Sequence, residues 1–89
     1  MNKFPKVKLI KKQVNNTQTN YSNGYWLEGE LLSKLEVNSK IIVLRDKRAD
    51  YDDYSKEVII DGLFTSSIIR EIKSNIITTQ NSVWEIVWL

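Results

Sequence analysis

The chain has 89 residues, 42% of them hydrophobic and 27% charged, with no histidine and no cysteine. That length suits one domain with a modest core, and the missing imidazoles and thiols exclude disulfides, thiolate nucleophiles, Cys/His zinc sites and imidazole acid–base catalysis. The net charge of +2 hides an asymmetry: Lys3, Lys6, Lys8, Lys11 and Lys12 precede the first acid, Glu28, leaving 8 of the 13 basic residues against all 11 acidic ones.

At the N-terminus, MNKFPKVKLIKK has no continuous apolar run of the kind a signal peptide needs. No stretch approaches eighteen apolar residues, so no membrane span is expected. Small secreted domains usually carry disulfides, which makes a cytoplasmic setting the expectation and leaves the Asn-x-Ser/Thr triplets at Asn15 and Asn20 without a glycosylation context. Residues 6–14 read as a basic edge strand. Pro5 cannot donate to a ladder and points to a strand start or a sheet edge. Lysines along such an edge either block edge-to-edge aggregation or form a phosphate-binding strip.

Residues 15–24, NNTQTNYSNG, read as a polar loop closed by the Asn23-Gly24 turn. Residues 25–32 alternate well, with Tyr25, Leu27, Gly29 and Leu31 on one parity and Trp26, Glu28, Glu30 and Leu32 on the other. If the glutamates face water, Trp26 faces water with them, unless the N-terminal segment covers it. Gly29 inside a strand suggests a bulge. Residues 34–39 form a connection turning at Asn38-Ser39, with one helical turn conceivable over residues 33–36. Residues 40–45, KIIVLR, are apolar on both parities and predict a central strand buried on both sides or at a barrel crossing.

Residues 46–57, DKRADYDDYSKE, mix charges with Tyr51 and Tyr54 between two strong strands, which predicts a long projecting hairpin loop. The Asp52-Asp53 pair lacks calcium-loop spacing, so no metal is expected. A strand over residues 57–64 follows, with Asp61-Gly62 as a turn or bulge. Three more strands are expected over residues 65–72, 75–79 and 83–88, with turns at Lys73-Ser74-Asn75 and Gln80-Asn81-Ser82. In the last strand Trp84, Ile86 and Trp88 share a parity opposite Glu85 and are placed inward, as core rather than as a stacking platform.

Six or seven short strands without a helix predict an all-β fold: a single-domain antiparallel barrel, SH3-like or OB-like. The strings GYWLEGEL from Gly24, LEVNSKIIVLR from Leu35, GLFTSSI from Gly62 and TQNSVWEI from Thr79 resemble small β-barrel proteins of phages, plasmids and other mobile elements, and the small barrel of translation-factor-like domains. Thr65-Ser66-x-Ile68 and Asn81-Ser82-x-Trp84 are the most specific elements, and the resemblance implies a fold and no active site. Where the mobile-element proteins usually have a glycine before the central strand, this chain has Asn38.

No enzymatic constellation and no cofactor are expected. The leading expectation is a single-stranded nucleic-acid binder, with phosphates on Lys6, Lys8, Lys11 and Lys12, bases stacked on Tyr25, Trp26, Tyr51 and Tyr54, and Arg45, Lys47 and Arg48 beside them. Its alternative is a protein-binding module, an accessory subunit of a replication enzyme or an inhibitor of a host protein, anchored by Trp26, the tyrosine loop and the apolar C-terminal end. The mildly acidic body argues against the first of these.

Overall fold

The alternation of apolar and polar residues, reinforced by β-branched runs, folds into six antiparallel strands: β1 (Lys6–Val14), β2 (Trp26–Leu31), β3 (Lys40–Ala49), β4 (Glu57–Lys73), β5 (Ile76–Thr79) and β6 (Ser82–Trp88). The structure, a computed structural model, describes residues 4–14 and 23–89. Each strand pairs with its sequence neighbours, and β6 returns to β1 to close the barrel. The all-β antiparallel barrel is therefore borne out. Its consecutive order contains no Greek-key crossover, the connection that defines an OB-fold. No described helix is long and apolar enough to cross a membrane.

Closure changes the role of β1. It pairs with β2 on one side and β6 on the other, so it is not an edge strand and its lysines guard no edge. Pro5 lies just before the strand, where its carbonyl accepts the Leu31 amide at 2.9 Å.

Residues 57–64 and 65–72, expected as two strands, belong to one strand of 17 residues. Gly62 adopts φ 139 there, and the pairing with β3 shifts register between Arg45 and Lys47. A bulge bends the chain without turning it, which is how a long strand serves two neighbours of a small barrel. β3 likewise continues to Ala49 instead of stopping at Arg45, because Lys47 and Arg48 pair with both β2 and β4. The charged hairpin loop is accordingly shorter than expected, residues 50–56 only, and the charges before it lie on strand.

Two facings also differ from expectation. In β3, Ile41 and Val43 are buried while Leu44 is 40% exposed, so the strand buries one face. In β6, Trp84 and Ile86 are buried as expected, but Trp88 is 56% exposed because its partner is Val7, at the start of β1 and the end of the barrel. Residues 33–36 form no helical turn; the chain reverses at Asn38, whose φ of 75 is the left-handed conformation that a glycine takes easily.

The core is filled from every strand: Val7 and Leu9 from β1, Leu27 and Leu31 from β2, Ile41 and Val43 from β3, Ile69, Ile77, and Trp84 with Ile86. At one corner the motif residues tie the strands together. Ser66 Oγ accepts the buried Ile41 amide at 2.8 Å, Ser67 Oγ accepts the Asn81 amide at 3.0 Å, and Thr79 Oγ1 accepts the Ser82 amide at 3.2 Å. Asn38 and Ile69 exchange a further pair of bonds with this corner, the Asn38 amide to the Ile69 carbonyl and the Ile69 amide to the Ser39 carbonyl. The Thr-Ser and Asn-Ser elements are structural.

Candidate functional site

The expected lysine strip does not form a free cationic surface. Lys6 pairs with Asp46 at 2.7 Å, Lys12 with Glu85 at 3.0 Å, and Lys47 lies between Glu28 and Glu57 at 3.7 and 3.2 Å. Cross-strand register produces these pairs: Lys47 stands directly opposite Glu28, and Ile10 in β1 opposite Glu85 sets Lys12 within reach of the same acid. The hydrogen bond that Lys47 donates to Glu57, with both glutamate charges behind it, holds the Lys47 pKa above its ordinary value. Each exposed pair is worth at most about 1 kcal/mol, and each sets an acid beside a lysine that a phosphate would otherwise contact.

Lys11 is displaced from the strip altogether. It shares the inward parity of Val7 and Leu9, is 2% exposed, and brings Nζ to 5.5 Å from the Trp84 ring centre. It is therefore not a phosphate contact. Burial strips water from the ammonium and pushes its pKa below the ordinary lysine value. The folded state thus binds this proton more weakly than the unfolded state. Between the lowered and the ordinary pKa the unfolded chain holds more protons, so stability rises with pH across that interval. Relative to Lys11→Met, the natural protein should gain stability as pH climbs through the alkaline range. Urea unfolding at several pH values checks this; a pH-independent difference would contradict it. Lys47 is present in both proteins, so its opposite shift cancels.

The aromatic candidates do come together, at the barrel end that holds the loop of residues 50–56. Tyr25 is fully buried, a core residue and not a stacking surface. Tyr51 stacks on it with ring centres 6.1 Å apart, and Tyr54 meets it edge-on at 5.7 Å. The Trp26 indole donates Nε1–H to the Tyr54 carbonyl at 2.8 Å, so the half-buried Trp26 pins the loop. Lys8 lies over the same ring at 4.7 Å, and the Arg48 guanidinium lies 3.8 Å over Tyr51. The loop folds back onto the barrel instead of projecting from it.

Its acids serve the turn. Asp50 Oδ1 accepts the Asp52 amide at 2.8 Å, and Asp53 Oδ1 accepts both the amide and the hydroxyl of Ser55, at 3.0 and 2.6 Å. Those Ser55 bonds hold the Asp53 carboxyl below its ordinary pKa. Arg45, the remaining basic candidate, donates Nε–H to the Gly62 carbonyl at 3.3 Å beneath the β4 bulge. Lys3 and residues 15–22 of the polar loop lie outside the described residues.

Compared with known proteins, the chain matches no family model, no curated protein and no solved structure. Its own geometry carries the functional argument.

One surface escaped the reading of the sequence. Leu44 and Leu63 face each other across β3 and β4, with Ile59 farther along β4, and the three are 40%, 60% and 77% exposed. Isolated exposed aliphatics are ordinary, and here the β3–β4 register sets two of them side by side. The signal was in the alternation. Glu57, Ile59, Asp61, Leu63 and Thr65 share a parity, and acids at two of those positions turn the apolar residues between them toward water. For Trp26 the same parity argument met the other outcome: it packs half-buried against the core, with Lys8 of β1 over its ring.

Proposed function

We propose that the protein is a non-enzymatic protein-binding module that docks through the outer face of the β3–β4 ribbon. The observation that carries this reading is the Leu44–Leu63 pair with Ile59, solvent-facing aliphatics held at fixed spacing on paired strands. Burying apolar surface drives association without net charge, at roughly 25 cal/mol per Å² before the costs of docking are met. The acids beside Lys6, Lys12 and Lys47 support the same reading. A partner of this kind makes the chain an accessory subunit of a larger assembly or an inhibitor of another protein.

Single-stranded nucleic acid is the second reading. It draws on Arg48 laid over the half-exposed Tyr51, an arrangement that base-stacking sites also use.

Affinity capture with the tagged protein and two variants tests the first reading. Leu63→Glu removes the apolar pair and should reduce partner recovery at least tenfold, because a carboxylate must then be desolvated at the interface. Lys8→Glu, away from the ribbon, should recover the partner as the natural protein does. Equal recovery by Leu63→Glu, with the variant still folded, would overturn the assignment of the face.

A further inference from the structure

Among the described residues, part of β4 pairs with one neighbour alone. β3 pairs with β4 from Glu57 to Ile68, whereas β5 pairs only from Ile69 to Lys73. The turn after β5 ends the second row of partners: the Gln80 amide reaches the Ile68 carbonyl at 2.9 Å, and the Asn81 amide reaches Ser67 Oγ at 3.0 Å. Among the described residues, no strand lies along the other side of residues 57–64. A strand edge of this kind presents backbone donors and acceptors to another chain, interrupted here at the bulge, where the Gly62 carbonyl already accepts Arg45 Nε–H.

Its side chains specify what would fit. Ile59 and Leu63 point outward and are exposed, while Val58, Ile60 and Phe64 alternate with them and are half-buried. Asp61 lies between the two outward aliphatics, exposed and in no ion pair among the described residues, whereas Glu57 is held by Lys47. A second copy pairing antiparallel about this centre would set Asp61 against Asp61, and like charges directly opposite are destabilising.

We infer that this edge takes an extended segment of a partner protein as an added β-strand, with apolar residues opposite Ile59 and Leu63 and a lysine or arginine opposite Asp61. The inference rests on the protein-binding reading and gives it a mode. Main-chain bonds to the edge supply affinity, and the alternating side chains supply selection.

The probe is an acetylated, amidated peptide, Thr-Val-Val-Lys-Val-Val-Thr, added to the isotopically labelled protein. Binding should slow amide exchange at the edge-facing residues of 57–65 at least tenfold. N-methylation of alternate peptide residues should abolish binding in one phase and leave it in the other, since only one set of peptide amides faces the edge. Glutamate in place of the peptide lysine should weaken binding at least tenfold, and Asp61→Lys should reverse that preference. Absence of lysine-peptide binding at millimolar concentration overturns the inference. Binding that perturbs Leu44 and Leu63 with unchanged amide exchange, and equally in both methylation phases, overturns strand addition but leaves the protein-binding reading. Peptide failure together with salt-sensitive oligonucleotide binding overturns both.

Discussion

Gly29→Ala should unfold the barrel at temperatures where the natural protein is stable. An alanine Cβ at this position falls on the Leu44 carbonyl oxygen and lies 2.8 Å from Arg45 Cα. Both obstacles are backbone, at the point where β2 and β3 shift register between Glu28 and Gly29. No side chain can rotate away, so the strands must part and give up ladder bonds. Overpacking of a tight site costs about 1–3 kcal/mol and occasionally more, and a clash against main chain belongs at the upper end. A loss of about 3 kcal/mol lowers the melting temperature of a domain this size by roughly 12–24 °C. Thermal melting followed by circular dichroism measures it. A variant melting within about 2 °C of the natural protein would show that the two strands are not this close.

Trp84→Ala should be as damaging, and Trp88→Ala should not, although the two residues share a parity four positions apart. Trp84 is 3% exposed, meets Phe64 edge-to-face at 5.3 Å and lies under the Lys11 ammonium. Truncating a buried tryptophan costs about 3–5 kcal/mol, because the lost contacts leave a cavity the closed barrel cannot collapse. Trp88 is 56% exposed at the barrel end, and its truncation should cost under about 1 kcal/mol. Urea unfolding with an unchanged m value separates them. Similar losses from the two variants would contradict the placement of Trp88.

The two tryptophans show what alternation conveys and what it omits. Period two assigns each residue to a face, and it placed Trp84 and Ile86 correctly. It does not say where the partner strand ends, and Trp88 lies where β1 is only beginning. Strand lengths were obscured for a related reason. Asp46, Lys47 and Arg48 look like loop because charge is dense there, yet cross-strand acids accommodate Lys47 on an outward face. Asp61-Gly62 reads as a turn or a bulge, and the positive φ of Gly62 goes with the bulge inside β4. The tyrosines and Trp26 do meet at one end, a proximity that spacing alone could not give because residues 25–26 and 51–54 are joined only by register. The lysines were the opposite case: their clustering was visible in the sequence, while the acids that engage Lys6 and Lys12 come from β3 and β6.

On the proposed function, these pairings leave the barrel with an apolar rather than a cationic binding surface. A labelled single-stranded oligonucleotide, titrated with the purified protein at low and moderate salt and followed by anisotropy and tryptophan fluorescence, tests it most directly. A flat titration is expected up to high micromolar protein at both salt concentrations. Binding that falls steeply with salt and quenches the tryptophans would contradict it, and would return the site to Arg48, Tyr51 and Trp26.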